Sequence, residues 1–274
     1  MLLKDDRAIA RREEQRQARA TAELALESVE IAGGTMCYAG PGSWANQAAG
    51  LGFEGPVGDA ELDQLVRFFE ERGCEPRIEL APFAHPSLIE GLRERGFLLL
   101  EFERVLVREL DARDWRALHP HGWPADLELV RLDPTNAAQV DAYTRLSHAG
   151  FAAPGSPLSA SWIDITRRTL EHERTTAYLA TCAGELAGAG CVDAGLPGAA
   201  LFGTVVEPAF RRRGVQLALI LERLAVAQER GSVQACIHSE PAIATARNAR
   251  RVGFRTAYDK VLMVRPGEGL ERGI

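Results

Sequence analysis

The sequence predicts an α/β protein built from two related domains in tandem, each a twisted mixed sheet flanked by helices. Three observations carry that expectation. The chain has 274 residues, about twice the ~150 usual for one domain. Amphipathic helical stretches alternate with short β-rich runs. Landmark strings of the first half recur in the second in the same order: Glu71-Arg72-Gly73 against Glu229-Arg230-Gly231, Gly96-Phe97 against Gly253-Phe254, and Val107-Arg108 against Val264-Arg265. Repetition at matched spacing marks duplicated units.

Taken in order, residues 7–28 are rich in Ala, Glu, Arg and Leu and lack Gly and Pro, which predicts a surface helix with a solvated charged face. Residues 33–58, rich in Gly, Ala and Pro, allow only short strands. Asp59 then caps a helix whose apolar residues Leu62, Leu65, Val66 and Phe69 share one face, and Gly73 ends it. A strand over 77–80, a helix opened by Pro86 and a strand through Val105, Leu106 and Val107 follow. Residues 109–124, containing His119-Pro120-His121-Gly122-Trp123-Pro124, read as a linker, so the expected domains are 1–123 and 124–274. The two histidines have no Cys or carboxylate at ligand spacing, and no metal site is expected.

The second domain opens on an alternating strand through Leu127, Leu129 and Arg131. Helices over 136–148 and 158–171 come next, then strands over 176–182 and 185–193 joined by a hairpin at Ala183-Gly184. A β-rich run over 201–206 is stopped by Pro208, and a helix through Leu217, Ile220, Leu221 and Leu224 ends at Gly231. A strand over 233–237, a helix from about Pro241 and a strand through Val261, Leu262 and Val264 close the chain.

Composition narrows the function classes. With 32 Lys and Arg against 38 Asp and Glu, the net charge of −6 offers no excess to hold a nucleic acid. No apolar stretch approaches the ~20 residues of a membrane helix, and the charged N-terminus is unlike a signal peptide, so a cytoplasmic protein without membrane attachment is expected. Five dispersed cysteines (Cys37, Cys74, Cys182, Cys191, Cys236) without a CxxC pair point to reduced, buried thiols.

The informative segment is 201–224. A strand gives way to the basic loop Arg211-Arg212-Arg213-Gly214-Val215-Gln216, which runs directly into a helix. The first amides of a helix lack intrahelical partners and carry the positive end of its dipole, so they bind phosphate oxygens, while Gly214 lets the backbone come close. No GK[ST] sequence and no three-glycine dinucleotide fingerprint is present. The segment resembles the acetyl-CoA motif of the GNAT N-acetyltransferase superfamily, [RQ]xxGx[GA] after a V-x-P strand end, here Val206-Glu207-Pro208 followed by the loop. Gln216 stands where that family has Gly or Ala. With the order of elements over 127–264, the resemblance covers a complete domain. The first domain is similar to the C-terminal half of a second copy whose cofactor loop is gone: residues 50–59 hold no arginine and two acids, Glu54 and Asp59.

The resemblance implies an acetyl-CoA-dependent N-acetyltransferase acting on an amine of a small molecule. It implies that Val205 and Val206 hold the pantetheine and thioester through main-chain atoms and that Arg211, Arg212, Arg213, Gly214, Val215 and Gln216 hold the pyrophosphate. Thr245 and Asn248 are further polar contacts. The tyrosine and asparagine that many family members carry near the closing Gly-Phe are replaced by Ala249 and Ala242. Glu207, at the strand end, is the foremost candidate base, with His238 and Tyr258 as the other candidates for proton transfer. The missing tyrosine motivates an alternative, a CoA- or acyl-CoA-binding sensor or interaction module without turnover.

Overall fold

The structure, a computed structural model, describes residues 4–271, without the side chains of Lys4 and Asp5. It divides into two compact units, one of Met1–Arg104 with Ala257–Ile274 and the other of Val105–Thr256.

Unit 1 opens with helix α1 (Lys4–Leu24), followed by strands β1 (Glu27–Ile31), β2 (Gly34–Tyr38) and β3 (Gln47–Ala49). Helix α2 (Asp59–Glu70), strand β4 (Arg77–Leu80) and helix α3 (Pro86–Glu94) follow, and strand β5 (Leu98–Glu109) leaves the unit after Arg104. β1 and β2 form a hairpin, β2 pairs antiparallel with β3, and β3 runs parallel to β4 at Ala48↔Ile78. The apolar face of α2, including Leu62, Leu65 and Phe69, packs with Ile78, Leu88 and Leu92 into one core. The charges of α1 are not all solvated. Glu13, Glu14 and Arg16 are buried: Glu13 and Arg16 pair with each other at 2.6 Å, and the fully enclosed Lys260 draws Glu14 to 3.2 Å, with Glu79 and Glu103 also paired to it. A buried ammonium is tolerated only with such partners: burial by itself would lower its pKa, and the three carboxylates together outweigh that and raise it well above the usual lysine value.

Unit 2 continues with β6 (Leu127–Arg131), α4 (Ala137–Phe151), α5 (Ala160–Glu171), β7 (Thr175–Cys182), β8 (Glu185–Asp193), β9 (Ala199–Val206), α6 (Val215–Glu229), β10 (Gln234–Ser239) and α7 (Ala244–Arg251). β6, β7, β8 and β9 pair antiparallel in sequence, and β10 joins β9 in parallel. Ala183 and Gly184 both take positive φ (51° and 84°), as a two-residue hairpin between right-twisted strands requires. The last strand, β11 (Arg255–Val264), starts in unit 2 but runs through unit 1, where Val261–Val264 pair antiparallel with β4.

The progression β2, β3, α2, β4 in unit 1 thus matches β8, β9, α6, β10 in unit 2, an antiparallel step followed by a parallel one. The closing strands are exchanged. β11 of the second repeat lies beside β4, and β5 of the first lies beside β10. The compact units accordingly part at 104/105 and 256/257 rather than at 123/124. The segment expected to be a linker belongs to unit 2, because Trp115 is buried there. Its indole nitrogen donates to Gln228 at 2.7 Å, and Arg116 bonds Glu222 at 3.0 Å. A buried indole needs such an acceptor, which anchors the segment to α6. Among the described residues, no helix is long and apolar enough to cross a membrane. All five cysteines are buried, and none is in a disulfide bond.

Candidate functional site

The site is built where β9 hands over to α6. β10 pairs with β9 only at Ala235↔Ala199 and Cys236↔Ala200 among the described residues, and beyond that point the two parallel strands share no register. The first residues of β9 are buried, whereas Phe202–Val206 is half-exposed along its length. One edge of this stretch is therefore unpaired.

A bulge decides which groups face that edge. β8 and β9 pair as Gly188↔Val206 and Ala189↔Val205, but then slip to Cys191↔Phe202, so Gly203 and Thr204 together oppose Gly190. Gly203 takes φ +59°, where a side chain would be strained, and a Cβ there would stand 2.5 Å from the Tyr143 hydroxyl. Below the bulge, the Glu207 amide donates to Ala187 at 2.9 Å. Alternation along an antiparallel strand then turns the main-chain groups of Val206 to the open edge, and the Arg211 side chain reaches the Val206 carbonyl there at 3.3 Å. By the same alternation, Val205 turns its amide to β8. The two valines expected to act alike differ: Val206 is presented, Val205 is not. The Val205 side chain instead packs on α4, where a Cβ added to Gly150 would come within 2.5 Å of it.

The loop is shaped by two residues at positive φ, Arg212 (65°) and Gly214 (84°), and α6 starts directly at Val215. No side chain caps this helix, and its first turn holds no acid. The first intrahelical bond is Ala218 N–H to Gly214 at 3.0 Å, so the amides before it remain for an external acceptor. Arg211, Arg212 and Arg213 are exposed beside them. Arg213 is ion-paired to Asp126 and lies over the Phe210 ring. Gln216 is turned away from the loop: its side chain donates to Thr245 at 2.9 Å and accepts from Asn248 at 2.6 Å. The side chain that stands where the family has Gly or Ala is thus tied to α7, and its backbone amide stays available.

Among the candidates for proton transfer, Glu207 sits half-buried at the end of β9 with no hydrogen bond or ion pair to its carboxylate among the described residues. His238 is half-buried on β10, two residues past the last β9 pair, on the opposite wall of the gap. Tyr258 is not at this site. It belongs to unit 1, is buried, and its hydroxyl donates to Glu14 at 2.7 Å, the packed role that a tyrosine on a strand commonly has. Ala249 is fully buried on α7, packed in the core of unit 2.

Two residues escaped the reading of the sequence. His119 is buried beneath Gly214, with its Nε2 3.3 Å from the Gly214 carbonyl; a carbonyl only accepts, so Nε2 carries the proton. A Cβ on Gly214 would stand 2.9 Å from this ring. Arg223, in the middle of α6, is wholly buried, and burial brings its pKa down to about 10. The signal for it was an arginine inside the apolar run 217–227.

No family profile matches the sequence, and no curated protein matches it. Solved structures do match. A GCN5-related N-acetyltransferase from Kribbella flavida superposes over 94% of this chain and 96% of its own, with a TM-score of 0.70 at 18% identity. A putative acetyltransferase of the GNAT family from Novosphingobium aromaticivorans covers 93% and 97%, with a TM-score of 0.55 at 18% identity. A tandem GNAT protein from the clavulanic acid biosynthesis pathway covers 77% of this chain and 69% of its own, with a TM-score of 0.53 at 17% identity. The chain therefore has the fold of the GNAT acetyltransferases. The duplicated element order gives it the tandem form of that fold.

Proposed function

We propose that unit 2 binds acetyl-CoA and transfers its acetyl group to an amine of a small molecule. The observation that supports this reading is the uncapped N-terminus of α6, with three arginines, placed at the end of a strand whose outer edge is unpaired. The pyrophosphate is accepted by the loop amides and by Arg211 and Arg213, the latter exchanging its bond to Asp126 for one to phosphate. The pantetheine extends along β9, and the Val206 amide donates to it or to the thioester carbonyl. A main-chain donor fixed at the carbonyl stabilises the oxyanion that forms as the amine attacks. The attacking amine must be neutral; Glu207, free at the strand end, accepts its proton directly or through water. The leaving thiol has a pKa near ~8.5 and departs with little acid assistance, so a lost tyrosine does not by itself stop turnover. No metal enters this scheme.

The second reading, CoA binding without turnover, is favoured by one specific observation: Tyr258 is spent on Glu14, and the position where many family members carry the tyrosine is the buried Ala249. Calorimetric titration with acetyl-CoA, of the parent and of the Arg211→Ala/Arg213→Ala variant, tests the shared binding step. Micromolar binding that is lost in the variant is expected, and equal affinity in both would overturn the site. Release of CoA with a panel of small amines then separates enzyme from sensor.

A further inference from the structure

The buried guanidinium of Arg223 makes four hydrogen bonds, and three of them grip the bulge. Nε donates to Leu219 in its own helix at 2.8 Å. One terminal nitrogen donates to the carbonyls of Cys191 at 2.8 Å and Phe202 at 3.0 Å, and the other to the Thr204 hydroxyl at 2.8 Å. Cys191 and Phe202 face each other across the two strands immediately above the slip, and Thr204 is inside it. The space for the group comes from Gly190, where a Cβ would stand 2.9 Å from the guanidinium carbon. No carboxylate pairs with it among the described residues.

A buried, unneutralised charge is costly, and an apolar side chain of similar volume normally serves a helix core better. Its retention has a local reason: a bulge takes carbonyls out of the ladder, and those carbonyls need donors. The bulge in turn sets the phase of β9. Shifting the strand by one residue would exchange the two edges, turning Val205 to the gap and Val206 to β8.

We propose that Arg223 is a positioning residue for the acyl donor: by holding the bulge, it fixes which main-chain groups of β9 are presented to the thioester arm. The cofactor part of this assignment rests on the reading of unit 2 as an acetyl-CoA site, whereas the phase of β9 does not. Arg223 touches no reacting atom; it acts through the strand.

The test uses Arg223→Met in the full chain, with Leu224→Ala as a control that perturbs the same helix core away from the bulge. Two quantities are measured: amide hydrogen exchange over 201–207 without ligand, and affinity for acetyl-CoA. Arg223→Met is expected to stay folded with a lowered thermal midpoint, because buried acceptors lose their donor, to speed exchange over 202–206 at least tenfold with α6 unchanged, and to weaken acetyl-CoA about tenfold. Leu224→Ala is expected to lower the midpoint while leaving acetyl-CoA affinity within about twofold. Unchanged exchange in a folded Arg223→Met overturns the assignment, and so does an equal affinity loss in both variants. If Arg223→Met does not fold, Thr204→Val removes one of the bonds alone; it is expected to weaken acetyl-CoA about threefold, and parental affinity overturns the proposal. A parent that does not bind acetyl-CoA overturns the proposed function, while the exchange data still decide whether Arg223 holds the strand.

Discussion

The two repeats begin the same helix in opposite ways. In unit 1, α2 opens with Asp59 and Glu61 in its first turn, and the Glu61 carboxylate accepts from the Gly58 amide at 2.8 Å. In unit 2, α6 opens with no acid, no capping side chain and three arginines beside it. A helix N-terminus favours an anion, and one copy carries its own while the other leaves the position open. The strands before these helices differ in the same sense. β3 is buried at all three residues, whereas β9 is half-exposed from Phe202 onward. On the proposed reading, the duplicated architecture alone does not make an acyl-CoA site; an unfilled helix terminus next to an open strand edge does.

The largest expected effect comes from closing the open copy. Gln216→Glu is nearly isosteric and keeps its partners, since a carboxylate accepts from both the Asn248 amide and the Thr245 hydroxyl. It places an acid in the first turn of α6, as in unit 1. Folding stability is expected to hold or rise by ~0.5 kcal/mol from the dipole, while acetyl-CoA affinity falls by a factor of about thirty, on the order of 2 kcal/mol. Calorimetry on the variant reads both sides of the contrast, and undiminished binding would mean that the terminus is not where the phosphates sit.

Much of this contrast is legible in the sequence, because it lies in residue types at fixed places. Asp59 and Gly214 stand at helix starts in the structure, although Gly58 rather than Asp59 takes the cap position of α2; Gly73 follows the end of that helix, Pro208 follows the end of β9, and the absence of arginine in 50–59 already separates the copies. What the sequence hides is long-range. The exchange of β5 and β11 cannot be read from strand signals, since a strand pattern does not name its neighbour. The burial of Glu14 follows from Lys260, far away in the chain. Trp115 and His119 look like loop residues until α6 supplies the surface they pack on. The bulge in β9 rests on Arg223, whose role depends on carbonyls of two strands.

The units are alike in one respect, a deeply buried thiol in each. Burial pushes the Cys37 thiol in unit 1 and the Cys191 thiol in unit 2 up to about 11 from 9.0. A raised folded pKa means stability that is complete below the unfolded value and lost as pH climbs through the folded one. Unfolding free energy is thus expected to be flat with respect to these thiols below pH 9 and to fall between pH 9 and about 11, by roughly 1.4 kcal/mol per thiol at pH 10. Urea melts of the parent and of Cys37→Ala and Cys191→Ala, taken from pH 8 to 10.5, assign the loss to each unit. A slope that neither substitution reduces would rule the thiols out as its source.

Opening the closed copy costs less. Glu61→Ala removes the carboxylate that accepts from Gly58 and leaves that amide to water, for an expected loss of ~1 kcal/mol in a urea melt. It is not expected to create acetyl-CoA binding in unit 1, because no arginine flanks that terminus and β3 stays buried. If a protein already carrying Arg211→Ala/Arg213→Ala regained binding on adding Glu61→Ala, the cap would prove to be all that separates the copies.

The smallest expected effect lies in the open copy itself. Asp126 holds Arg213 through an ion pair whose partners are each almost half exposed, and such a pair contributes only ~0.2–1 kcal/mol. A pyrophosphate must compete with it for the guanidinium. Asp126→Asn removes the competing charge and keeps the shape, so acetyl-CoA should bind about two- to threefold more tightly, and the gain should shrink as salt is raised. The parent and variant titrated at low and high salt measure this directly. Weaker binding in Asp126→Asn would carry a different meaning: Asp126 would then be orienting Arg213 toward the phosphates rather than withholding it from them, and the loop would be assembled before the ligand arrives.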